Sequence, residues 1–193
     1  MYLYFAGDSR RYNTYSLMCE LIELIKNDAE RLNVLSIVHS LGLPDCYVAA
    51  GFLRNLAWDS MHLSKTELND IDIVFYDKSD SGNVIENRLT EKLNQEHPGI
   101  KWDVKNQAFM HIRNGDAPYR DTLDAMSYWP EKETAIGAAL NADGSIFIVS
   151  AFGLESLFDG KVSYNNKRSK EVFLNRVASK QWLKTWPQLQ VVL

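Results

Sequence analysis

Hydrophobic positions along the chain change period several times, and each change marks an element. From Thr14 to about Lys26, Leu17, Leu21, Leu24 and Ile25 recur at helical spacing. A second helix is predicted to start at Asp28, a good N-cap side chain, and to run through Leu32, Leu35 and Val38 to Leu41. Gly42 and Pro44 stop it. The apolar run Tyr47 to Ala50 reads as a strand that ends at Gly51, with a helix over Phe52 to Met61 and a polar loop over Ser64 to Asn69. Asp70 to Tyr76 then alternates at period two and is rich in β-branched and aromatic residues, which predicts a second strand. After a loop over Asp77 to Asn83, Val84, Ile85, Leu89 and Leu93 give a helix that ends before Pro98-Gly99, and Ile100 to Lys105 gives a third strand. Asp121 caps a helix containing Leu123, Met126 and Trp129, which Pro130 ends. Ala135 to Leu140 and Ser145 to Val149 flank Asn141-Ala142-Asp143-Gly144, a hairpin signal. Phe152 to Phe158 forms a short helix. The last helix, about 169–186, is expected to pack Leu174, Ala178 and Trp182 inward and to line up Arg176, Lys180 and Lys184 on another face until Pro187 ends it. Met1 to Asn13 shows no clear period.

Alternating helices and strands followed by a hairpin and terminal helices predict one α/β (α+β) domain, a small mixed sheet flanked by helices. Its core spans about 15–160. A length of 193 residues suits a single domain, and 46% apolar with 24% charged residues is ordinary for a soluble protein. No apolar run approaches a membrane span and no signal-peptide pattern opens the chain, so the expected location is cytoplasmic. Cys19 and Cys46 provide neither a disulfide framework nor metal-ligand spacing, and His39 has no second ligand at i+3 or i+4. The net charge of −4 is uneven: beyond Lys161 the only acid is Glu171, against seven basic residues counting Lys161. Such a tract reads as a solvated helix face, or as a landing site for a phosphate-bearing partner.

The candidate chemistry sits between residues 47 and 76. On the second strand Asp70 and Asp72 share one face, while Ile71, Ile73 and Phe75 share the other. Two carboxylates roughly 7 Å apart at the start of a strand outline a divalent-metal site. The order strand, Gly51, helix, Asp-Ile-Asp-Ile resembles the polymerase-β-like nucleotidyltransferase superfamily. AGFLRN, LNDIDIVFYD, WDVKNQAFMH, FGLESLF and RVASKQWLKTWPQL look like an uncharacterised bacterial nucleotidyltransferase-like family, from about residue 15 to the C-terminus. The resemblance implies that Asp70, Asp72 and Asp103 hold Mg²⁺ (or Mn²⁺). It implies that Gly51, Phe52, Arg54 and Asn55 meet a nucleoside triphosphate, whose monophosphate passes to a hydroxyl acceptor. That acceptor is a nucleic acid, a protein or a small molecule. Asn106 and Gln107 are candidates to line the site.

Each residue has a plainer reading. Gly51 suits any strand-to-helix turn, Arg54 a surface salt bridge, and Asp103 an exposed strand position. Phe52 stands where the superfamily has a second small residue, and the segment 53–69 is longer than its usual spacing. A catalytically inactive nucleotide- or nucleic-acid-binding module on the same fold is therefore the alternative, and metal-dependent hydrolysis by the same acids a third.

Overall fold

A computed structural model describes residues 9–68, 70–80 and 84–193, apart from the side chains of 9–13. Five strands form the main sheet: β1 (Tyr47–Ala49), β2 (Asp70–Phe75), β3 (Lys101–Asn106), β4 (Ile136–Leu140) and β5 (Ile146–Ser150), in the order β3-β2-β1-β4-β5. β2 and β3 run parallel, and the other neighbours are antiparallel, so the sheet is mixed. The parallel pair needs a crossover, which α4 (Val84–Glu96) supplies. Asn141 and Ser145 close the β4–β5 hairpin, as the Asp-Gly signal predicts. The expectation of a helix from Thr14 is met by α1 (Ser9–Lys26), and Asp28 accepts from the Arg31 N–H to cap α2 (Ala29–Ser40).

Period-two alternation decides which sheet face is covered. Ile71, Ile73 and Phe75 of β2, with Trp102 and Val104 of β3, belong to the main core with Leu21 and Ile25 of α1, Val34 and Leu35 of α2, and Leu89 and Leu93 of α4. The opposite face carries a smaller cluster, Ala49, Val74, Met126 and Ala135. Asp70, Asp72, Asp103 and Lys105 belong to this second face, beyond the edge of that cluster.

Helix α3 (Gly51–His62) follows β1 through a turn whose strained residue is the alanine. Ala50 has φ 57° and ψ −119°, a conformation that favours glycine, while Gly51 is already helical. A Cβ on Gly51 would meet Arg54 and Asn55 at an ordinary 3.5 Å. The protein's own packing therefore does not by itself demand glycine there.

The long segment after α3 is folded back by one buried carboxylate. Asp59 accepts from Thr66 N (2.9 Å), Thr66 Oγ1 (2.8 Å) and Ser64 Oγ (3.3 Å), and from Trp186 Nε1 (2.9 Å). The loop that enters β2 is thus fastened to α3 and to the far end of the chain.

Three short helices, α5 (Met110–Asn114), α6 (Thr122–Met126) and α7 (Glu155–Phe158), precede that end, which is not the single helix expected from its sequence. α8 (Lys170–Lys180) stops at Gln181, which adopts φ 52°, and a short turn, α9 (Trp182–Thr185), follows. The bend lets Trp182 and Trp186 both meet Trp58 edge-on, at 5.8 and 5.2 Å. Phe173 is the buried residue of α8, whereas Leu174 (43% exposed) and Ala178 face outward, which corrects the predicted inward stripe. A parallel pair that the sequence pattern did not reveal, Lys161–Ser163 with Gln190–Val192, closes the fold.

Two outcomes follow from this architecture. Asp59→Ala strands the Trp186 N–H and frees the loop, and should lower unfolding stability by about 2–4 kcal/mol in urea titration. Ala50→Gly should leave stability unchanged or raise it by up to about 1 kcal/mol, because relief of the φ strain offsets the lost methyl and the added chain entropy. A clear loss in Ala50→Gly would show that the turn is unstrained.

Candidate active site

The acids converge because of strand register. Asp70 and Asp72 are two apart on β2, so they share a face, and the parallel pairing sets Asp72 beside Asp103 of β3. Adjacent strands lie about 4.8 Å apart, which brings the three carboxylates within mutual influence. The influence registers on Asp72. Burial pushes its pKa from an ordinary 3.8 to about 6, the charges of Asp70 and Asp103 add to the shift, and Arg54 and Lys180 pull the other way.

The donor set tests whether a divalent cation fits. Carboxylate oxygens are the hard ligands Mg²⁺ takes, and Asp70 and Asp72 offer two on one strand face, Asp72 being costly to ionise without a cation. Asp103 is differently placed, since its Oδ1 lies 3.0 Å from the Lys105 ammonium. Among the described residues no three acid, histidine or cysteine side chains form a ready metal cluster. Asp70 and Asp72 therefore fit a cation, and Asp103 stands beside them already paired.

Two cavities meet at Asp72. The larger, about 490 Å³, is bounded by Gly51 and Asn55 of α3, Asp70 and Asp72, and the cations Arg176 and Lys180 of α8. The smaller, about 250 Å³, has Asp103, Lys105 and Gln107 on one side and Met110, Trp129 and Pro130 on the other. Ala50, Asp72, Thr134 and Arg176 border both. Acids thus face cations across a cleft, an arrangement suited to a polyanion bridged by a metal.

Arg54 is neither a surface ion pair nor an extended phosphate hook. It is 7% exposed, with its guanidinium 4.5 Å from the Trp182 ring and 5.1 Å from Trp58. One terminal nitrogen donates to Thr134 Oγ1 (2.8 Å) and the other to Asn55 Oδ1 (2.9 Å). Burial lowers its pKa to about 10, against the favourable charges of Glu131, Asp72 and Glu133, so it stays protonated at neutral pH. Arg54 supplies a fixed positive wall to the larger cleft.

Other positions depart from expectation. The Phe52 side chain is fully buried in the main core and does not line the cleft; its carbonyl accepts from Arg31 Nε at 2.9 Å. Asn106 is a fastener, not a lining residue: its Oδ1 accepts from Asp77 N and Ala108 N, and its Nδ2 donates to Asp77 O. Gln107 does border the smaller cavity. In the basic tract, Arg176 and Lys180 turn into the cleft, while Lys184 lies beyond the Gln181 bend and outside both cavities. Arg176 is held by a two-point bond to buried Glu131, Nε to Oε1 at 2.6 Å and a terminal nitrogen to Oε2 at 3.2 Å. Glu131 and Thr134 had no signal in the sequence, and Trp129, expected on the helix that Asp121 caps, lies past its end at Met126; all three reach the site only through tertiary contact.

A family model described as nucleotidyltransferase matches residues 36–191. A solved structure described as a CCA-adding enzyme head domain is 30% identical and superimposes with a TM-score of 0.80, over 89% of this chain and 94% of that one. CCA-adding enzyme complexes with CTP and with ATP share the fold at TM-scores of 0.58 and 0.56 and identities of 17% and 16%. This chain spans only 43% and 42% of their lengths. No match was found among curated proteins.

The raised pKa of Asp72 has a signed consequence for stability. The folded state holds its proton up to about pH 6, while the unfolded chain releases it near 3.8. Stability conferred at low pH is therefore lost as pH rises through that window, by roughly 2–3 kcal/mol at the outside. In chelator, Asp72→Asn should be stabilised relative to wild type at pH 7.5 and much less so at pH 4. An equal difference at the two pH values would contradict the assignment.

Proposed function

The chain belongs to the nucleotidyltransferase family, and on that premise we propose that it is a metal-dependent enzyme that moves a nucleoside monophosphate from a nucleoside triphosphate to a hydroxyl acceptor. One observation supports this most: Asp72, coupled to Asp70 and Asp103, lies where an acid-bearing strand edge faces the cations of α8 across a cleft. In this reading Asp70 and Asp72 hold Mg²⁺ or Mn²⁺. The ion, when bound, neutralises triphosphate charge and favours departure of pyrophosphate.

The chain's own residues do the rest. Arg176 and Lys180 attract the phosphates, and Glu131 fixes the direction of Arg176. Arg54 adds a charge that cannot swing away, because tryptophan rings and Thr134 hold it. Gly51 and Asn55 receive the triphosphate at the start of α3. The acceptor enters by the smaller cavity, its hydroxyl toward Asp72 and Asp103 and its apolar part against Met110 and Trp129. The described kinship to a CCA-adding enzyme head domain supports a nucleoside triphosphate as donor.

A second reading, a nucleotide-binding module without catalysis, draws support from the pairing of Asp103 with Lys105 and from Phe52 lying in the core. One experiment separates the two. Wild-type protein is incubated with each α-labelled nucleoside triphosphate, Mg²⁺ or Mn²⁺ and cell extract. The enzyme reading expects label on an extract component, reduced at least about 100-fold in Asp70→Asn and Asp72→Asn while the fold persists. Nucleotide binding that is equally tight in chelator, with no transfer, would establish the inactive module instead.

A further inference from the structure

Asp103 already has a cation of the chain's own. Asp103 and Lys105 point from the same face of β3, and the Lys105 ammonium is 3.0 Å from Asp103 Oδ1. A second carboxylate, Glu86 of α4, holds the same ammonium at 3.4 Å. Glu86 is buried, and its other oxygen accepts the Asn106 N–H at 3.0 Å, so this anchor is fixed. Lys105 is thus tethered between a rigid carboxylate and Asp103. No equivalent cation lies within ion-pair distance of Asp70 or Asp72 among the described residues.

We propose that the acid cluster takes a single divalent cation, on Asp70 and Asp72, and that Lys105 supplies at Asp103 the positive charge that a second ion would bring. The proposal rests on the metal-dependent reading above and departs from a three-acid, two-ion site. An ion arriving at Asp103 would compete with an ammonium that Glu86 keeps close by, and the two positive charges would repel each other at short range. Lys105 and Asp103 both border the smaller cavity. A hydroxyl entering there meets an ammonium–carboxylate pair.

Counting ions tests this without any activity assay. The full chain is titrated with Mn²⁺ alone, and free ion is followed by electron paramagnetic resonance. Nucleotide is left out because its triphosphate brings an ion of its own. One Mn²⁺ per wild-type chain is expected. Asp103→Asn should keep that number and change Kd by no more than about threefold, well short of the ~10–100-fold that even indirect partners of a metal are worth. Lys105→Met keeps the aliphatic stem, frees Asp103, and should raise the count to two. Two ions in wild type, an ion lost in Asp103→Asn, or one ion in folded Lys105→Met each overturns the proposal. If circular dichroism shows Lys105→Met unfolded, wild type and Asp103→Asn decide it alone. No ion in wild type also overturns the proposal, whereas the metal-dependent reading itself fails only if nucleotide transfer proceeds equally in chelator.

Discussion

A guanidinium with almost no access to water needs neighbours that replace its hydration, and the active cleft is built around that requirement. Arg54 stands one turn into α3, between Trp58 and Trp182, and donates hydrogen bonds to Thr134 and Asn55. Its charge is offset by Glu131, Asp72 and Glu133, and Glu131 is in turn bonded to Arg176. This alternation of charges, buried at Arg54, Glu131 and Glu133, spans three segments far apart in sequence: α3, the irregular stretch before β4, and α8. Removing Arg54 or Glu131 would leave a buried partner without compensation, which costs far more than a surface pair gains. The network therefore specifies where the cations stand relative to the acids.

Sheet periodicity provides the complementary constraint. One face of β2 and β3 is apolar and covered by helices, and that coverage forces the alternate residues onto the face that remains partly open. A one-residue slip of β2 would bury Asp70 and Asp72 in the main core, so the hydrophobic residues that stabilise the sheet also aim the acids. Parallel pairing then fixes Asp103 beside Asp72. Their mutual repulsion is tolerated because cations approach from two sides, Lys105 along the strand and Arg54 with Lys180 across the cleft.

The cleft is completed by the end of the chain. Trp182 and Trp186 pack on Trp58, Trp186 bonds to Asp59, and Asp59 also holds the loop that leads into β2. One aromatic cluster and one carboxylate thus set the distance between the acid strand and the cations of α8. The extended spacing between Gly51 and Asp70 is absorbed in the fastened loop, and both still border the same cavity.

The amino-acid sequence by itself determined most of the elements and the acid face. Regular periodicity is a local property, so the strand at Asp70, the cap at Asp28, the hairpin at Asp143-Gly144 and the mixed α/β class were all legible, and the nucleotidyltransferase resemblance followed from AGFLRN and LNDIDIVFYD. Tertiary structure decided what local patterns do not encode. Helical spacing made a continuous basic stripe of Arg176, Lys180 and Lys184, but tryptophan packing bends the chain at Gln181 and turns only the first two into the cleft. Gly51 drew notice as the special backbone residue, yet the pairing of β1 places the strain on Ala50. The family resemblance points Phe52 and Asn106 toward the ligand; a fully covered core and a fastened turn claim them instead. Glu131 and Thr134 carry no period at all, and they reach the site because a buried arginine eighty residues before Thr134 requires acceptors there.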